Sequence, residues 1–304
     1  MRKVIMGSMN QQLAYKLLAA FLVFTMLGSV FAYFFTGPRD DTTQETNTPD
    51  TDLGKYDPGL WTVNEPFYSI SDSLKMTPPG AEVAYYVDLE SMTPQMIQWT
   101  RSESTMIGGL IQEVDTKLYK SNATKLYYAG IREGNNNSLL LLSTMATPNN
   151  DFDYIVLPDT NILVRQEQDL FGMYNIMGTP AIFAQPQTAV NVLEIIYGQN
   201  KTNTSYDQYE GLISKVEPAP FQIVNSNITF ARQFYFGIGI VNGSYERTTA
   251  YLDANSTVLR KLDQSKVNST QKGFEQYQVN QSGNYTIVKI ISPELFTVLN
   301  EETS

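Results

Sequence analysis

The stretch FARQFYFGIGIV (230–241), followed by Asn242-Gly243 and then SYERTTAYLDA (244–254), decides the fold class. Its flanks are rich in aromatic and β-branched residues, and Asn-Gly tolerates the positive φ that both central positions of a type I′ turn require. It reads as strand, two-residue turn, strand. KLYYAGIRE (125–133) and SLLLLSTM (138–145) form a second hairpin across GNNN (134–137). GFEQYQV (273–279) and NYTIVKII (284–291), joined through Ser282-Gly283, form a third. Shorter β-like runs occupy 81–90, 153–158, 161–166 and 180–185.

Helical signals fall between these runs. Thr93 caps and Pro94 starts a long helix with Ile107, Leu110, Ile111, Val114 and Leu118 on one face. A second runs from Pro186 to Tyr197 and stops at Gly198. Ser205-Tyr206-Asp207-Gln208 is a capping box for a third, with Tyr209, Leu212, Ile213 and Val216 inward. A fourth covers 256–267. Hairpins interleaved with helices predict an antiparallel α+β fold: hairpin-rich sheets packed with about four helices. Tyr127-Tyr128-Ala129-Gly130-Ile131 and Phe234-Tyr235-Phe236-Gly237-Ile238 each open the first arm of a hairpin. One large domain and two related halves meeting near 217 therefore both fit the 60–304 region.

Upstream of that region the chain changes character. Residues 1–16 carry Arg2, Lys3 and Lys16 and no acid, and LLAAFLVFTMLGSVFAYFF (17–35) has no charge at all. Nineteen helical residues span about 28 Å, close to the roughly 30 Å bilayer core. The expectation is a transmembrane helix at 17–35 with a cytoplasmic N-terminus, since the cations lie on that flank. A cleaved signal peptide competes through Val30-Phe31-Ala32, but its apolar region is usually only about 7–15 residues. TGPRDDTTQETNTPDTDLGKYDPG (36–59), with six Thr and six acids, reads as a disordered stalk.

The chain has 304 residues, a net charge of −10, no Cys and no His. These zeros exclude disulfides, thiolate nucleophiles, Ser-His-Asp triads and nearly all transition-metal sites. The acidity excludes a nucleic-acid partner. Carboxylate, Tyr, Ser or Lys chemistry remains, and the motifs for it are incomplete. Asn149-x-Asp151-x-Asp153 starts like a calcium loop, but Tyr154 stands where Gly is needed and Thr160 where Glu is needed. Asp159-Thr160-Asn161 lacks the Gly of an aspartic-protease motif and has no second copy. Ser269-x-x-Lys272 lies in a polar loop without the companion motifs, and Gly237-Ile238-Gly239 is strand sequence. Asp88 and Glu90 would serve a hydrolase only if the fold held two acids at the right separation. No catalytic, cofactor or metal residue is assigned.

N-x-S/T acceptors are the strongest signal. They stand at Asn122, Asn136, Asn200, Asn203, Asn227, Asn242, Asn255, Asn268, Asn280 and Asn284, where chance composition gives about four. All ten lie beyond the expected membrane span. The intervals 61–121 and 137–199 are free of them, so a binding surface is expected there, around the 81–90 strand, the 94–118 helix and the 153–185 strands.

PPGAEVAYYVDLESM (78–92) and PAIFAQPQTAVNVLEIIYGQNKTNTSYDQYEGL (180–212) resemble prokaryotic, archaeal-like, single-pass membrane-anchored extracytoplasmic proteins of unknown function. The resemblance implies a surface-anchored ectodomain and transfers no functional residue. The resulting expectation is a glycosylated binding or scaffolding ectodomain with one membrane span and a surface-protein or membrane-complex partner. The alternatives are a carboxylate-dependent hydrolase and an accessory subunit of a membrane complex.

Overall fold

Gly80, with φ +103, turns the chain into the strand from which the sheet is built. Its carbonyl accepts from the Arg132 amide at 2.9 Å, and a Cβ there would collide with the Arg132 carbonyl. The computed structural model describes residues 62–102, 106–134, 136–147, 152–157, 160–165, 172–198 and 203–301. All belong to one unit, Gly54–Ser304.

In chain order the strands are β1 (Ala81–Asp88), β2 (Ala123–Glu133), β3 (Asn136–Met145), β4 (Tyr154–Val156), β5 (Leu163–Arg165) and β6 (Tyr174–Met177). Then follow β7 (Ala181–Ala184), β8 (Phe221–Asn225), β9 (Gln233–Val241), β10 (Ser244–Leu252), β11 (Gln276–Ser282) and β12 (Tyr285–Ser292). The helices are α1 (Ile70–Lys75), α2 (Pro94–Thr100), α3 (Met106–Glu113), α4 (Pro186–Ile196), α5 (Ser205–Ile213), α6 (Ser256–Val267) and α7 (Leu295–Leu299). Among the described residues all twelve strands join one antiparallel sheet in the order β11-β12-β10-β9-β8-β1-β2-β3-β7-β6-β5-β4.

This corrects the expected α+β arrangement of several hairpin sheets with about four helices and an N-terminal transmembrane helix. The missing link was β8, a five-residue strand that pairs β1 on one side and β9 on the other. It fuses what would be separate hairpin sets, placing Tyr85 opposite Ile223 at the middle of the sheet. The position near 217 falls in the connection from α5 to β8. Among the described residues no helix is long and apolar enough to cross a membrane. The single-pass membrane description is corrected on that finding. Residues 1–16, the 17–35 stretch and the 36–59 stalk lie outside the described residues.

Local rules explain most of the elements. Asn242 and Gly243 have φ 52 and 87, as the primed turn demands. The β2–β3 turn is tighter than expected, because Glu133 pairs directly with Asn136. The third hairpin turns at Gly283-Asn284, since Ser282 pairs with Tyr285. The long helix expected from Pro94 to Leu118 is broken. α2 ends at Thr100 with Arg101 as its C-cap, just before a segment with Ser102, Ser104 and Thr105, residue types whose side chains compete for backbone hydrogen bonds. α3 runs on into a π-helical turn over Val114–Leu118. The capping box of α5 sits one residue earlier than expected, with Thr204 as cap and Asp207 as its partner.

Helices cover both faces of the sheet. On one face Tyr127 meets the Thr77 hydroxyl beyond α1 at 2.8 Å, and Tyr235 donates to the Glu217 carbonyl beyond α5 at 3.2 Å. On the other, Trp99 of α2 packs edge-on against Phe221 at 4.9 Å. Tyr119 donates to Asn175 at 3.0 Å, and α7 lies over β10 and β12.

The core is rich in tyrosine. Burial pushes the phenols of Tyr85, Tyr86, Tyr119, Tyr127, Tyr128, Tyr209 and Tyr235 well above their ordinary value of 10.0. A folded-state value above the unfolded one means that this stability is complete below about pH 10 and is lost as pH rises through the folded values. An alkaline titration followed by tyrosinate absorbance should therefore show exposed phenols ionising first. The buried set should ionise later, in one step with loss of the β-sheet signal.

Candidate functional site

The acceptor asparagines and one buried cation are the features that set this surface and interior apart. Asn122, Asn136, Asn203, Asn227, Asn242, Asn255, Asn268, Asn280 and Asn284 are all exposed, and Asn200 lies outside the described residues. Five of them gather at the end of the sheet where β1 begins. Asn136 opens β3 beside the β2–β3 turn, and Asn203 stands just before Ser205, whose hydroxyl accepts from the Ala81 amide at 3.0 Å. Asn227 follows β8 and donates its side-chain amide to Glu82 at 3.0 Å. Asn255 and Asn284 stand close together, because the Asp253 amide donates to the Asn284 carbonyl at 2.8 Å. Asn255 also caps α6 through its side-chain oxygen, which leaves its nitrogen outside those bonds. Asn122 and Asn242 lie at the opposite end, Asn268 closes α6, and Asn280 lies on edge strand β11.

The carboxylate candidates are occupied structurally. Asp88 accepts from the amides of Glu90 and Ser91 and from the Ser91 hydroxyl, so it shapes the turn after β1. Glu90 reaches Lys125 at 3.3 Å. Ser269 donates to the Lys266 carbonyl, and Lys272 points elsewhere, to Glu301. Gly237 and Gly239 lie within β9. Asn149, Asp151 and Asp159 lie outside the described residues. Among the described residues no group of three or more acids could hold a metal ion.

Sequence reasoning missed Arg247. It sits on β10 and is 1% exposed. One terminal nitrogen, Nη1, donates to the Glu301 carbonyl just beyond α7 at 2.8 Å. The guanidinium thus ties the segment after α7 to β10. Nε and Nη2 have no hydrogen-bond partner among the described residues, and neither has Oγ1 of Thr249. The Phe236 ring lies 5.9 Å from the guanidinium carbon. Burial pulls the Arg247 pKa down to about 10, while Tyr251, Glu301 and Tyr277 oppose that shift. The Glu301 carboxylate is engaged by Lys272 through both oxygens, at 2.8 and 2.7 Å. Arg165 makes a parallel arrangement across the sheet, with Nη1 donating to the Leu118 carbonyl at the end of the π-helical turn. Alternation along SYERTTAYLDA gives no sign that one cation turns inward.

No family model and no curated protein matches the chain. Among solved structures, crystal form III of TP0453 is similar at a TM-score of 0.41 and 10% identity, covering 75% of this chain and 97% of that one. Crystal form IV is similar at 0.42 and 10%, covering 75% and 96%. Likeness at this level carries no argument about activity, and nothing found bears on the resemblance drawn from 78–92 and 180–212.

Glu301 faces two cations with one carboxylate, so its loss should be felt more than that of Lys272, which is 39% exposed. Glu301→Gln is expected to lower stability by about 1–3 kcal/mol and Lys272→Gln by about 1 kcal/mol or less. Both are read from urea midpoints at constant slope. Equal effects would mean that Glu301 serves only its surface pair.

Proposed function

We propose that this protein is displayed on the external side of the cell, carries N-linked glycans, and binds or scaffolds rather than catalyses. One observation carries the reading. Nine acceptor asparagines spread over β-strands, turns and helix ends are all exposed, and five crowd one end of a single sheet. Asparagine, serine and threonine also serve turns and caps, and Asn255 does so here. Capping alone, however, asks nothing of the third residue in each triplet, and the excess over chance composition resides in the complete triplet.

The distribution also supports binding. Glycans at the β1-start end would cover the turns of two hairpins and the entry to α5, leaving the 137–199 stretch uncovered. Ile155, Val156 and Leu163 are exposed in that stretch, at 40%, 59% and 39%. The edges of the sheet differ accordingly. Outermost β11 is polar and carries Asn280, whereas outermost β4 carries no acceptor. A glycan on β11 would block strand addition there.

Mass spectrometry of protein from its native source tests the proposal. Occupancy is expected at most of Asn122, Asn136, Asn227, Asn242, Asn255, Asn268 and Asn284. Unmodified asparagine at every one of them would return these residues to turns and caps and remove the basis for external display.

A further inference from the structure

Arg247 is a buried charge that Glu301 offsets only from a distance, since among the described residues no carboxylate bonds its guanidinium. Among the described residues the layer between β10–β12 and α7 holds two cations, Arg247 and Lys272, but one carboxylate, Glu301, whose two oxygens both bond Lys272. Arg247 receives only a neutral carbonyl, on Nη1. A guanidinium removed from water needs its charge balanced and its donors satisfied, or its burial is costly.

The two donors left over are not an arbitrary pair. Nε and Nη2 lie on the same edge of the guanidinium plane and present parallel N–H groups, the fork that takes both oxygens of a carboxylate or two oxygens of a phosphate. Thr249, two residues along β10, shares that face of the strand, and its hydroxyl is likewise without a partner. Three buried donors without a partner among the described residues thus stand on one face of β10, the face that α7 covers, with a cation to supply the field.

We propose that Arg247 and Thr249 form a binding site for a small oxyanion, a carboxylate or a phosphate, seated on the Nε/Nη2 edge. Lys272, partly exposed and tied to Glu301, places a second positive charge beside the same carboxylate. The occupied site neutralises the excess cation and holds α7 against β10. This inference is independent of glycan display, because it rests on interior groups alone.

The test uses the full chain with inorganic phosphate and acetate as probes, in a buffer free of other oxyanions. At least one probe should raise the melting temperature with a saturating dependence on its concentration, at constant ionic strength. Sodium chloride at the same ionic strength should not reproduce the effect. The two probe arms separate phosphate from carboxylate as the preferred ligand. Arg247→Lys keeps the charge but loses the fork and should weaken binding about tenfold or more. Thr249→Val keeps the shape, leaves Arg247 in place, and should weaken binding several-fold, so the test survives if the arginine variant does not fold. Crystals grown with the effective probe should show it on Nε and Nη2. Absence of stabilisation by both probes, stabilisation unchanged in Thr249→Val, or a water or protein carboxylate on that edge in those crystals would overturn the proposal.

Discussion

Everything in this molecule hangs on β1. Seven of its eight residues are buried, and both of its edges are paired, to β2 on one side and β8 on the other. Its two faces are closed as well. Tyr86 meets Phe67 edge-on at 5.9 Å, and on the other face Tyr85 is buried beside its cross-strand partner Tyr128. An irregularity in the β1–β2 register between Ala81 and Val83 interrupts the ladder, and neighbouring groups take up the carbonyls there. The Tyr209 hydroxyl stands 3.0 Å from the carbonyls of Ala81 and Glu82, and the Ser226 amide donates to Glu82 at 2.8 Å. A local break in one ladder thus fastens α5 and the turn after β8 to the central strand.

From that centre the two flanks diverge in chemistry. Toward β4 the strands shorten to three and four residues and expose apolar side chains. Toward β11 they keep seven to nine residues, and outermost β11 is polar and carries the acceptor Asn280. Each flank also contains a buried arginine that caps a helix-end carbonyl, Arg165 for the π-helical turn and Arg247 for the segment after α7. Without a single disulfide, hydrogen bonds from buried cations and tyrosines tie the covering helices to the sheet.

The three long hairpins were legible because each combines strand-forming flanks with a glycine turn, and that chemistry is local. β6 and β8 were not legible. At four and five residues, too short for alternation to mark them as strands, they are ordinary apolar runs until a neighbour pairs with them. The omission of β8 alone changes several sheets into one, which is why the fold class was missed while most of its hairpins were found. α1 and α7 span six and five residues, too short for a 3.6-residue period to show. The positions of the acceptor asparagines could be read directly, but their gathering at one end required strand order. Arg247 could not be read at all, since a charged residue in a hairpin arm ordinarily faces water.

The central claim is that β1 and β8 make one cooperative sheet from the chain before and after residue 217. Amide hydrogen exchange across a denaturant series measures it directly. The account predicts that the amides of β1, β2, β8 and β9 share the highest opening free energy and the same denaturant dependence, because none can open without breaking the centre. Two separate sets, β1–β7 and β8–β12, each opening with its own free energy, would contradict it.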